Sequence, residues 1–79
     1  MTYFDLSSVP VGGCAKVQKL HAEGAIRRRL LDMGLTHGAE TTCLYRSPSG
    51  DPRAYLIRGA VVALRTQEAR QIEVTCQDK

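Results

Sequence analysis

Apolar residues recur at two different spacings along this 79-residue chain, and the change of spacing divides it into elements. Ile26, Leu30 and Met33 fall at i, i+4 and i+7, the apolar face of a short helix over about 25–33. Gly34 follows the last of them, where a left-handed C-cap needs no side chain. Leu35 is then placed to fold back onto the helix's apolar face. Gly38 makes the turn into a strand over 38–46. Alternation there sets Ala39, Thr41, Cys43 and Tyr45 against Glu40, Thr42, Leu44 and Arg46.

The same reading extends in both directions. Pro10 and Gly12-Gly13 mark a turn near the start, and Cys14–Leu20 follows as a strand of weak period. Ser47-Pro48-Ser49-Gly50-Asp51-Pro52 is a strong turn signal, with Pro48 presetting φ, Gly50 accepting positive φ and Pro52 fit only for a strand start or an edge. It joins the 38–46 strand to one over 53–58 as a hairpin. Gly59 breaks that run, and 60–65 forms the next strand. Residues 66–70 read as one helical turn, with Thr66 as N-cap and Ala69 buried. Ile72, Val74 and Cys76 alternate as a last strand. Five short strands around one helix predict a small barrel, in which closure removes exposed edges. Leu30, Leu35, Ile57, Val62, Leu64, Ile72 and Val74 are its expected core.

Composition narrows the function classes. Residues 1–79 read as one domain, and a chain of this length buries only about 60–65% of its unfolded surface, so the core is thin. No apolar run approaches the roughly 20 residues that span a bilayer. No basic region followed by an apolar core opens the chain, so no signal peptide is read. The three cysteines, Cys14, Cys43 and Cys76, are an odd number at wide spacing and make a poor disulfide framework. A reduced, cytosolic protein is the expectation. Net charge is +3, which permits an acidic partner without demanding one.

Leu6, Gly12, Val17, Arg29-Leu30-Leu31-Asp32-Met33-Gly34-Leu35, Gly38-Ala39, Pro48-Ser49-Gly50-Asp51-Pro52, Gly59, Ala63-Leu64-Arg65, Glu68-Ala69 and Ile72-Glu73-Val74 together resemble the ferrous iron transport protein A family. The resemblance runs from Leu6 to Val74, nearly the whole chain. It implies a mostly β fold, a small SH3-like five-stranded barrel with one short inserted helix. It also implies a non-enzymatic accessory that docks on, and modulates or assembles, the membrane ferrous iron transporter, ferrous iron transport protein B, which carries a GTPase domain. Such an accessory would be cytoplasmic, recruited to the inner face of the membrane by its partner. The alternative is a regulatory module like the C-terminal domain of iron-dependent repressors, binding a ligand, metal or protein. The free-standing accessory is preferred because no helix-turn-helix precedes the domain. Thr41 departs from the family pattern, standing where a branched apolar residue is usual.

Candidate sites follow from the residues. Arg27-Arg28-Arg29 is the densest charge; as a solvated helix face, it would pair Arg28 with Asp32 at i, i+4. As a contact, Arg29 would grip a carboxylate of the partner bidentately. The expected partner face is Arg29, Leu35, Pro48, Asp51, Pro52, Arg53 and Tyr55, supported by structural glycines Gly34, Gly38, Gly50 and Gly59. Nucleic acid is not expected, because a wider basic stripe and stacking aromatics are missing. His21, His37 and the cysteines lack the paired spacing of a zinc site, so no metal and no cofactor is expected. Gly12-Gly13 is not followed by Lys-Ser or Lys-Thr, and no Ser or Asp has a base close in sequence, so no catalytic residue is assigned. Direct membrane insertion is not expected, and weak self-association is left open.

Overall fold

The structure of the protein, a computed structural model, describes residues 3–76. The strands are β1 (Tyr3–Asp5), β2 (Cys14–Leu20), β3 (Glu40–Arg46), β4 (Arg53–Ile57), β5 (Ala60–Leu64) and β6 (Ile72–Cys76). Helix α1 (Gly24–Asp32) lies between β2 and β3, and the short α2 (Thr66–Ala69) between β5 and β6. All neighbours pair antiparallel, in the order β1-β6-β2-β3-β4-β5. The mostly β class with one inserted helix is therefore present, with two differences from the sequence reading.

First, six strands are described rather than five. The extra one, β1, is three residues long and pairs Phe4 with Val74. Three residues are too few for alternation to register. Second, among the described residues the ladder does not close, since β1 and β5 are both edges. Side chains bridge the ends instead. The 3₁₀ turn Leu6–Ser8 is held by β4, where Tyr55 Oη donates to the Leu6 carbonyl oxygen (3.4 Å) and Arg53 Nη1 donates to that of Ser7.

The core follows the expected residues closely. Leu30, Leu35, Ile57, Leu64, Ile72 and Val74 are fully buried, together with Leu6, Cys43 and Tyr55. Val62 is a correction: it packs on this cluster but stays partly exposed on the edge strand. Thr41 sits in the core and its hydroxyl donates to the Ala15 carbonyl oxygen (3.3 Å), so the polar substitution is satisfied. The weak period of β2 has a cause. The ladder to β6 shifts between Val17 and Lys19, so Ala15 and Val17 point inward before the break and Leu20 after it.

The stop of α1 is a Schellman motif. The Gly34 N–H donates to the Leu31 carbonyl (2.9 Å) and the Leu35 N–H to the Leu30 carbonyl (3.1 Å). Gly34 stands at φ 101°, and Leu35 and Leu30 are both fully buried. Gly38, Gly50 and Gly59 are also at positive φ, as the turns require. Ile26 departs from the expected apolar face and is 44% exposed. Thr66 is the first residue of α2, and Arg65 precedes it as the N-cap.

Candidate partner interface

Two segments converge on α2. Four residues are too few for a self-supporting helix, so its N-terminal amides need partners from outside. Asp51, at the tip of the β3–β4 loop, supplies one. Its Oδ1 accepts from the Thr66 N–H (2.8 Å) and from the Thr66 hydroxyl (3.3 Å). Glu68 Oε1 accepts from the Arg65 N–H (3.0 Å). The other Glu68 oxygen pairs with Arg29, which reaches across from α1. Arg29 and Asp51, far apart in the sequence, thus meet on one surface through α2.

Between α1 and α2 this surface holds a depression of about 370 Å³, lined by Ile26, Arg29, Arg65, Gln67, Glu68 and Gln71. Ile26 gives it an apolar element, which explains why that residue is not in the core. Pro48 and Pro52 are exposed beside Asp51 on the loop.

The remaining expected interface residues have other places. Leu35 and Tyr55 are fully buried and offer no surface to a partner, which corrects the expected face. Leu35 belongs to the helix stop. Tyr55 belongs to the contact with Leu6, and burial pushes its phenol above the ordinary value, with a hydrogen bond from Arg53 opposing the rise. Arg53 is half-buried and holds the Ser7 carbonyl, so it too is internal support. Pro48, Asp51, Pro52 and Arg29 remain on the outside.

The arginine run resolves into three roles. Arg27 Nη1 donates to the Leu20 carbonyl oxygen (3.3 Å), tying the helix to the end of β2. Arg29 pairs with Glu68. Arg28 has no ion-pair partner among the described residues, so the expected Arg28–Asp32 pair does not form. The residue sequence reasoning missed is Arg58. In the β4–β5 turn it donates from Nε to the Gly34 carbonyl oxygen (3.2 Å) and from Nη2 to Thr36 Oγ1 (2.7 Å). Only its position beside Gly59 hinted at a special backbone.

The possible metal ligands stand apart. His21 Nε2 meets Glu73 Oε1 (2.7 Å), and His37 Nδ1 donates to the Gln18 carbonyl oxygen (2.9 Å). Among the described residues no group of three or more His, Cys, Asp or Glu is arranged to hold a metal ion. Cys14 is an exposed free thiol and Cys43 a buried one; burial pushes the Cys43 thiol up, with Arg53 and Arg46 opposing. The Cys76 side chain lies outside what is described. Among the described residues no helix is long and apolar enough to cross a membrane.

Fold and surface together define a small mostly β domain of the SH3-like type, with a polar, partly paired surface around a short second helix. The FeoA domain model matches residues 4–76, and the chain belongs to that family. A Porphyromonas gingivalis protein, "Fe(2+) transport protein A/Fe(2+) transporter FeoB fusion protein", is 36% identical over 69 residues. That alignment takes in 87% of this chain but only 8% of the relative's length. The solution structure of FeoA from Chlorobium tepidum superposes with a TM-score of 0.89 at 37% identity, covering 95% of this chain and 71% of that one. Stenotrophomonas maltophilia FeoA, solved with zinc and described as an SH3 domain protein, superposes at 0.76 with 34% identity, covering 91% of this chain and 89% of that one.

Proposed function

We propose that this protein is a non-enzymatic, cytoplasmic accessory of ferrous iron uptake. It docks on the cytosolic side of a membrane ferrous iron transporter and modulates or assembles it. The observation that carries the reading is the relative in which the matching domain is continuous with an FeoB transporter, because fusion keeps two partners at high effective concentration. Family membership supports it independently. A GTPase domain on the transporter would supply any nucleotide chemistry.

The docking surface in this reading is the one around α2, with Arg29 as its cation and Ile26, Pro48 and Pro52 as its apolar contacts. Such an interface is small, in the class below about 1,200 Å² of total buried surface. Charge then acts more on association rate and salt sensitivity than on final affinity.

Calorimetry against the transporter's cytosolic domains, and a pull-down with the intact transporter, test this. Wild type should bind, and Arg29→Glu should bind more weakly. Because Arg29 also pairs with Glu68, Glu68→Gln serves as the comparison: it breaks the same internal pair without reversing a surface charge. Absence of wild-type binding to both the domains and the intact transporter sinks the reading. Equal weakening by both variants would remove Arg29 from the contact and leave the docking itself standing.

A further inference from the structure

The outer side of β3, β4 and β5 carries exposed apolar side chains around a buried Ala54. Its cross-strand rows are Thr42, Leu56 and Val61, and then Tyr45, Ala54 and Ala63. Tyr45 is 59% exposed, Leu56 38% and Val61 64%. Beside Leu56, the residues Thr42, Glu40 and Arg58 line a depression of about 420 Å³, enough for one large side chain.

This face runs directly into an edge that no described strand pairs. β5 ends the strand order, and its pairing to β4 is regular from Ile57↔Ala60 to Arg53↔Leu64. The two-residue turn Arg58-Gly59 makes Ile57 and Ala60 the closing, hydrogen-bonded pair. Alternation then turns the N–H and C=O groups of Ala60, Val62 and Leu64 toward β4. Those of Val61 and Ala63 point away from the sheet. Edge strands are usually protected by a charge, a proline or a bulge, and the sequence Ala-Val-Val-Ala-Leu has none of these.

The charges at the border are mostly basic, with Glu40 the exposed acid on the wall of the depression. Arg58 and Arg65 bracket β5, and Arg46 flanks Tyr45, all three exposed. The other carboxylate nearby, Asp51, is bonded to Thr66. Pairing β5 antiparallel with its own copy would bring Arg58 of one chain close to Arg65 of the other at both ends. A second copy is therefore disfavoured by like charge, and an acidic segment is favoured.

We propose that the edge and outer face of β5 dock an extended, apolar segment of a partner protein, flanked by carboxylates, by strand addition. The segment's main chain pairs with Val61 and Ala63. One of its side chains enters the depression at Leu56, and its flanking acids meet Arg46 and Arg65, while Arg58, whose guanidinium is bonded to Gly34 and Thr36, contributes charge alone. This goes beyond the docking around α2 and does not depend on which partner supplies the segment.

The test is a selection from a random peptide library on the immobilised full chain, with the Val61→Glu and Arg46→Glu chains as counter-targets. Both side chains are exposed, so both variants should fold, as amide spectra would verify. Peptides with two or three apolar residues bounded by Asp or Glu should enrich on wild type. They should bind Val61→Glu at least about tenfold more weakly and lose affinity with added salt. Amide exchange at Val61 and Ala63 should slow on binding, and Arg29→Glu, on the other surface, should bind the peptides as wild type does. No enrichment, basic-flanked peptides, undiminished binding to Val61→Glu, or protection around α2 instead of β5 would each overturn the proposal. So would a concentration-dependent dimer, seen by sedimentation, that Val61→Glu abolishes, because it would make a second copy the occupant.

Discussion

Arg58 locks the stop of α1: its guanidinium holds the Gly34 carbonyl oxygen from a hairpin turn 24 residues away. Both residues are at positive φ, 51° for Arg58 and 101° for Gly34. A Cβ added at Gly34 would lie 3.0 Å from Arg58 Cδ and 3.4 Å from Ile57 Cγ2. The close approach thus uses the missing side chain twice, once for the backbone and once for the space.

Gly34→Val should accordingly destabilise the protein by about 1–2 kcal/mol from left-handed strain alone, and by more once the contact with Arg58 is included. Arg58→Ala should cost about 1 kcal/mol through its lost hydrogen bonds, and Arg58→Gly less, because glycine relaxes the positive φ. Urea unfolding of the three variants measures both. A midpoint unchanged by Gly34→Val would refute the cap.

Asp51 should act as a stabilising cap rather than a free surface acid. Asp51→Ala is expected to lower stability by roughly 1 kcal/mol, the usual scale for a lost helix cap. Its amide signature is local: exchange at Thr66 should accelerate while the β2 and β6 amides stay protected. Unaltered exchange at Thr66 would count against the cap.

Stability should be insensitive to Cys43 and Tyr55 below about pH 9 and fall above it. Burial raises both groups in the folded state from ordinary values of 9.0 for the thiol and 10.0 for the phenol. Above those values the unfolded chain has lost protons that the folded chain keeps. The unfolded state then binds fewer, and stability declines with rising pH, at up to about 1.4 kcal/mol per pH unit for each group. Urea titrations from pH 7 to 10.5 follow the decline, and Tyr55→Phe should flatten its upper part. A stability that rises above pH 9 would contradict the burial of both.

The described thiols should separate cleanly by reactivity. Cys14 is exposed and should react with a thiol reagent as fast as a small-molecule thiol. Cys43 should react only on the timescale of unfolding, so adding urea should release it. Rapid labelling of Cys43 in the native chain would mean that the core around Ile57 opens locally.

Much of this fold is written in local chemistry. Gly34 with Leu35 gave the helix stop and its hydrophobic contact, because a C-cap depends on a few neighbouring residues. The strand bounds at Cys14–Leu20 came from turn residues rather than from alternation, which the shift after Val17 disrupts. What stayed hidden depends on distance. Nothing near Asp51 in the chain announces Thr66, and nothing near Arg58 announces Gly34. The error at Leu35 and Tyr55 has the same origin. Both lie in segments whose tips are exposed, and only the folded-back path of the chain tells tip from root. Of the expected interface, Arg29 and the 48–52 loop do share a surface, joined by a helix whose significance the sequence alone does not reveal.

The pairing of Arg29 with Glu68 and of Asp51 with Thr66 has a consequence for recognition. Any carboxylate arriving at Arg29 competes with one already in place, and any donor arriving at Asp51 competes with the start of α2. Apparent affinity is then reduced by the fraction of time these groups are released, as for a binding-competent state that is only partly populated. Such a surface rejects generic acidic solutes and responds to a partner that offers several contacts at once. Its occupancy should be brief and readily reversed, and α2 would loosen each time a partner takes hold.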